Sequence, residues 1–161
     1  MIIELAYATE NNFTGAKVYE NARCYLHQDA VPHLERAIEL AARHDCRLKI
    51  WDTFRPVEAQ QKLWDHTPDD TFICPPTKGS PHSRGAAIDL TLVRKSDNTE
   101  LDMGTIFDEF RPIAFHNAPD LSPEVEHNRM VLAGIMITAG WDFYKNEWWH
   151  YQMFNAKQYP V

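Results

Sequence analysis

Cysteine is scarce: Cys24, Cys46 and Cys74 are an odd number in 161 residues, and no CxxC spacing occurs. That argues against a disulfide framework and against a cysteine zinc knuckle. Any metal on this chain must be held by His, Asp or Glu. Basic charge is also in short supply. Sixteen Lys and Arg stand against 23 Asp and Glu, the formal net charge is -7, and no basic stripe forms. Such a surface argues against a phosphate-backbone binder, so nucleic acid is not an expected partner. Long apolar runs are missing too. Val131 to Ala139 is the most apolar segment and falls far short of the roughly 20 residues of a membrane span. The N-terminus has neither the basic start nor the apolar stretch of a secretory leader, so the expected location is cytoplasmic. A periplasmic location would require a signal peptide already removed. There are no internal repeats, low-complexity tracts or linkers, and 161 residues with 44% hydrophobic content suit a single domain over 1–161.

Within that domain, Asp29 to His44 repeats Leu34, Ala37, Ile38 and Ala41 at helical intervals, with Asp29 as the expected N-cap. Cys46 to Asp52 alternates like a strand and stops at Thr53-Phe-Arg-Pro56, which leaves Arg55 just beyond the strand end. Pro56 suits the first position of a second helix running to about Asp65. Thr67 to Ser83 holds four prolines and a glycine and reads as a loop. It leads into a strand, Ala86 to Val93, in which Ile88, Leu90 and Leu92 face one way and Asp89 and Thr91 the other. Asp97-Asn98 marks a turn. Ser122-Pro123-Glu124 starts a helix that ends at Gly140. Trp141 to Tyr144 and Trp148 to Phe154, separated by Lys145-Asn146, form a hairpin. The interleaving predicts an α+β fold with a mostly antiparallel central sheet flanked by helices.

Two clusters have chemistry in them: Ser80-Pro-His82-Ser-Arg84-Gly-Ala-Ala-Ile-Asp89, and Glu147-Trp-Trp-His150. Imidazole and carboxylate are the donors that a catalytic zinc prefers, and three protein ligands leave a fourth position for water. His82, Asp89 and His150 are the candidate ligands. Glu147, three residues before the last of them, is a candidate general base. Arg55 is a permanently charged partner for an oxyanion. The residues alone leave other readings open: Asp89 as a turn cap or a partner of Arg84, and Glu147 with His150 as exposed hairpin residues. His27, His33, His44, His66, His116 and His127 read as surface positions. Trp141, Trp148 and Trp149 read as packing residues, one of them a possible pocket wall.

Taken together, Tyr7-Ala-Thr, Asn12-Phe-Thr-Gly15, Asp52-Thr-Phe-Arg-Pro56, His82-Ser-Arg-Gly-Ala-Ala-Ile-Asp-Leu-Thr91, Met103-Gly104 with Phe107-Asp108, and Glu147-Trp-Trp-His-Tyr151 resemble the D-Ala-D-Ala dipeptidases. These are the VanX and DdpX type among the zinc D,D-peptidases that share a fold with the hedgehog signalling domain. The resemblance runs over nearly the whole chain. It implies one zinc ion on His82, Asp89 and His150, Glu147 as general base, and Arg55 against the tetrahedral intermediate. It further implies that Asp108 meets the substrate ammonium and Ser80 its carboxylate, with Asp52 and Tyr7 supporting the pocket. Two departures stand out: Pro81 replaces the usual Ser or Asn before the first histidine, and the loop between Trp64 and Gly79 is brief. The implied partner is a small D,D-dipeptide, with no membrane; oligomeric state is not implied. A D,D-carboxypeptidase or endopeptidase acting on peptidoglycan peptides, and a non-catalytic zinc-binding module, are the alternatives.

Overall fold

In the computed structural model, which describes residues 1–161, five strands share one sheet: β1 (Ile2–Ile3), β2 (Cys46–Asp52), β3 (Ala87–Arg94), β4 (Asp142–Phe143) and β5 (His150–Gln152). Their order is β1-β2-β3-β5-β4, with β1 parallel to β2 and the other neighbours antiparallel. Three helices, α1 (Val31–Arg43), α2 (Val57–His66) and α3 (Pro123–Thr138), complete an α+β single domain.

β3 is the centre of the sheet, and its first seven residues are buried on both faces. Ile88, Leu90 and Leu92 point into one core with Leu48 and Ile50 of β2, Leu34, Ala37 and Ala41 of α1, and Leu132, Ile135 and Met136 of α3. At ~25 cal/mol per Å² of apolar surface, this continuous layer is the main source of folding free energy. The opposite face is aromatic. Trp51 stacks on Phe107 at 5.0 Å between ring centres and meets Trp148 edge-on at 5.9 Å, while Phe107 meets Trp149 at 5.6 Å. A smaller cluster, Tyr7, Val18, Tyr19, Ala59, Leu63 and Ile73, joins the N-terminal segment to α2. The candidate site lies between these two apolar bodies.

Several boundaries differ from expectation for local reasons. Asp29 does not cap α1: it sits in a short 3-10 turn (Gln28–Ala30), its N–H donates to His27 Nδ1, and its carboxylate accepts from Tyr159. Pro56 precedes α2 instead of opening it. Ser122 does cap α3, accepting from the Val125 N–H at 3.2 Å, and Gly140 ends that helix at φ 99°. His116 is half-buried and not freely exposed; it packs against Phe143 and Tyr151, and burial pushes its imidazole pKa down to about 4. Nor does Arg84 pair with Asp89. It donates to the carbonyls of Gly79 and Tyr159.

Candidate metal centre and active site

Sheet register assembles the centre. Asp89 of β3 is paired with His150 of β5 on one side and with Asp52 of β2 on the other. The second pairing depends on an irregularity: Ile50 faces Leu90, yet Asp52, two residues on, faces Asp89, one residue back. The extra residue re-aims Asp52 onto the face that Asp89 occupies, as a bulge does. His82 arrives from a 3-10 turn (His82–Arg84) immediately before β3. Gly85 ends that turn at φ 64°, where a Cβ would stand 2.9 Å from the His27 amide nitrogen, so only glycine fits both the backbone and the contact.

Three atoms converge here: His82 Nε2, His150 Nδ1 and the Asp89 carboxylate. His82 Nε2 is 3.2 Å from His150 Nδ1 and 3.2 Å from Asp89 Oδ2, and His150 Nδ1 is 3.0 Å from Asp89 Oδ1. The far nitrogens decide what these short distances mean. His82 Nδ1 lies 2.7 Å from the Thr53 carbonyl oxygen, which can only accept, so the proton is on Nδ1 and Nε2 presents a lone pair. His150 Nε2 meets Gln152 Oε1 at 3.2 Å, an acceptor that can hold the ring proton there and free the Nδ1 lone pair for a metal. With both protons on the outer nitrogens, two imidazole lone pairs and a carboxylate face each other, an arrangement that a cation between them would relieve. Ligands roughly 2.0–2.1 Å from a tetrahedral ion stand about 3.3 Å apart, close to the separations found. The donor set thus fits a divalent metal such as zinc, each histidine being oriented by an outer acceptor. All three residues are buried. Burial works against the charge on Asp89, and positive charge on its His82 and His150 side, whether protons on those rings or a cation between them, holds its carboxyl below the usual range.

Glu147 and His150 are not exposed hairpin residues; they are 7% and 6% exposed. The turn bearing them is tied to the 114–116 segment through Trp148 N–H to Ala114 O at 3.1 Å and His116 N–H to Lys145 O at 3.0 Å. Glu147 Oε2 stands 3.8 Å from His150 Nδ1, so the carboxylate hangs beside the donor cluster. Burial and the negative Asp89 push the Glu147 carboxyl well above the ordinary value, while Arg55 opposes them.

Arg55 is buried, with Nε and Nη2 donating to Asp52 Oδ2 at 2.9 and 2.7 Å and Nη1 to Gln60 Oε1 at 3.0 Å. Those three bonds leave two of its five N–H groups uncommitted. Nη2 also lies 3.6 Å from Asp89 Oδ2, and the guanidinium sits 5.0 Å from the centre of the Tyr7 ring. Asp52 accepts from Tyr19 as well, so it locks Arg55 in place. The Tyr7 hydroxyl donates to Asp108 Oδ2 at 2.9 Å. Burial first, then the negative Asp89, raise the Asp108 carboxyl well above its ordinary value. Ser80 is buried, and its Oγ accepts from the His82 N–H at 3.2 Å.

A cavity of about 280 Å³ brings together every predicted site residue except Asp52, which stands behind Arg55. Sequence reasoning missed Gln60, Gln152 and the Thr53 carbonyl, which orient Arg55, His150 and His82. For Gln152 a signal existed: two residues after His150 on one strand, it shares that residue's face. Trp149 is the tryptophan that walls the cavity.

Residues 1–160 match the family model described as D-Ala-D-Ala dipeptidase. The chain is 43% identical over 161 residues to the D-alanyl-D-alanine dipeptidase of Escherichia coli K12, covering 99% of this chain and 82% of that protein. It is 34% identical over 174 residues to the D-alanyl-D-alanine dipeptidase of Enterococcus faecium, covering 96% and 86%. A Streptomyces coelicolor protein of the same name is 34% identical over 167 residues, covering 91% and 83%.

Proposed function

The chain belongs to the D-Ala-D-Ala dipeptidase family of peptidases, and from that membership we propose that it is a zinc enzyme hydrolysing D-alanyl-D-alanine to two molecules of D-alanine. The observation that supports the reading best is the convergence of three lone-pair donors at 3.0–3.2 Å beside the buried Glu147.

A zinc ion on His82 Nε2, Asp89 and His150 Nδ1 supplies, when bound, a Lewis acid for the peptide carbonyl and acidifies a water towards neutrality. Glu147 takes the proton of the attacking water as the new C–O bond forms. Its raised proton affinity, a product of burial, suits a base that must then hold the proton and pass it to the leaving amine. As the carbonyl becomes tetrahedral, its oxygen gains negative charge. The two uncommitted N–H groups of Arg55 are suited to meet that charge, and Asp52 and Gln60 prevent the guanidinium from swinging away. Asp108, held by Tyr7, receives the substrate ammonium, and Ser80 offers its hydroxyl proton to the carboxylate. An anionic group at the amino end also explains a restriction to dipeptides, because an acylated amine brings no charge to pair with it. The product chemistry fits recycling or removal of a cell-wall precursor.

The test is release of free D-alanine from D-alanyl-D-alanine by zinc-loaded protein, run beside the N-acetylated dipeptide. Cleavage of the free dipeptide alone is expected. Cleavage of the acetylated form would move the assignment to a D,D-carboxypeptidase, and cleavage of neither would leave a non-catalytic zinc-binding module.

A further inference from the structure

A zwitterionic dipeptide brings two charges into the cavity, and the cavity's own charges pair off until one of each sign is left. Arg55 is paired with Asp52 at 2.7 Å, and Lys78 stands 3.6 Å from Asp70 in an exposed pair. The donor cluster accounts for Asp89, and Glu147 is committed to the proton of the attacking water. Two charged groups lining the cavity then remain: Asp108 and Lys157. They also belong to different walls. Asp108 is held by Tyr7 of the N-terminal segment. Lys157 lies on the turn before Tyr159, which Arg84 ties to Gly79, the neighbour of Ser80, by donating to the carbonyls of both Gly79 and Tyr159.

Resting on the dipeptidase reading, we infer that Lys157 is the specificity-determining cation that pairs with the C-terminal carboxylate of the substrate, opposite Asp108. Ser80 cannot do this alone: it is a neutral hydroxyl whose oxygen is already used by the His82 N–H. Arg55 has only the two N–H groups assigned to the oxyanion. Lys157 lies on a 3-10 turn (Ala156–Gln158) that is fastened on the far side. The next residue, Tyr159, packs against His27 with ring centres 4.4 Å apart and the rings tilted, donates to Asp29 at 3.2 Å, and accepts from Arg84 through its carbonyl. The turn is therefore fixed, while the lysine side chain, exposed at the rim, keeps the freedom to follow a carboxylate. The resulting polarity aligns the dipeptide amino end towards Asp108, with the scissile carbonyl over the donor cluster.

The experiment is steady-state kinetics of zinc-loaded wild type, Lys157→Met and Lys157→Arg on D-alanyl-D-alanine and on its C-terminal amide. Methionine keeps the aliphatic stem and removes the charge, and the site is exposed, so folding is not at stake. A charge-assisted hydrogen bond predicts a rise in KM for the free dipeptide of about tenfold in Lys157→Met, with kcat retained and the arginine variant restoring affinity. On the amide, wild type and Lys157→Met should give the same KM. An unchanged KM for the free dipeptide, or an equal rise for the amide, overturns the inference while leaving the dipeptidase assignment intact. Failure of the wild type on the free dipeptide overturns both.

Discussion

Replacing Gln152 by leucine tests the donor cluster without touching a donor. The Gln152 Oε1 atom is the acceptor that keeps the His150 proton on Nε2, at 3.2 Å. Without it, that proton gains by moving to Nδ1, where Asp89 Oδ1 waits at 3.0 Å. The metal-free protein then settles into a tautomer that a cation must undo before binding. Loss of such an outer partner costs about 10- to 100-fold in metal affinity. The 3.2 Å length and the half-buried position of Gln152 place this case near about tenfold, or ~1.4 kcal/mol. Gln152→Glu keeps an acceptor and adds charge, so it should bind zinc at least as tightly as wild type. The assay is competition for zinc between the metal-free protein and a chromogenic chelator, without substrate. Equal zinc affinity in wild type and Gln152→Leu would refute the tautomer argument.

Glu147→Gln should lower kcat by about 10²- to 10⁴-fold while zinc affinity in the same competition assay holds, because the role proposed for Glu147 is on the proton and not on the metal. Asp108→Asn should act in opposite directions on stability and on binding. The Asp108 carboxyl is raised by burial, so its ionisation in the folded protein removes stability as pH climbs from the ordinary carboxylate range through the raised value. Thermal melts should therefore show the asparagine variant more stable than wild type at neutral pH, converging with it in acid. In kinetics the variant should lose the fall of KM with rising pH that ionisation of Asp108 gives the wild type. Arg129→Met should destabilise by about 3 kcal/mol or more in urea titration. The guanidinium donates to the carbonyls of Met103, Ile113 and Phe115 at 2.8, 3.0 and 3.0 Å, and its loss leaves one buried and two part-buried acceptors unmatched.

Legibility in the sequence followed the range of the interactions involved. Strand β2 was readable because its alternation reflects one residue's own environment, and the Ser122 cap and Gly140 terminus because each is a local backbone requirement. Asp29 misled because a capping residue type is only a local option. A tertiary contact with Tyr159, 130 residues away, took its carboxylate, and a 3-10 turn took over the helix start. His116 misled because polarity says little about burial when a neighbouring hairpin folds back over the residue. The convergence of His82, Asp89 and His150 was anticipated through their spacing and through resemblance. Their outer partners were not: a backbone carbonyl such as that of Thr53 has no signature in the residue type, and Gln60 is distinguished from any helical glutamine only by the position of Arg55.

The irregularity in β2 ties fold to chemistry most directly. A regular ladder after Ile50 and Leu90 would set Trp51 opposite Asp89 and send the next side chain to the apolar face, where a carboxylate could not stay charged. One inserted residue instead puts Asp52, Asp89 and His150 in a row across three adjacent strands. Two carboxylates directly opposite one another destabilise a sheet, so the row needs cations on both sides of Asp89. Arg55 supplies one, standing 2.7 Å from Asp52 and 3.6 Å from Asp89. On the proposed reading the other is the metal ion held with His82 and His150. It follows that removing the metal should lower the melting temperature of the whole domain, since Asp89 lies in the central strand and its uncompensated charge is felt by the core. The loss should be larger in Arg55→Met than in wild type, where the guanidinium still shields one side. Calorimetric melts of the metal-free and zinc-loaded forms of both proteins give that comparison, and an equal metal-dependent shift in the two would sink the coupling.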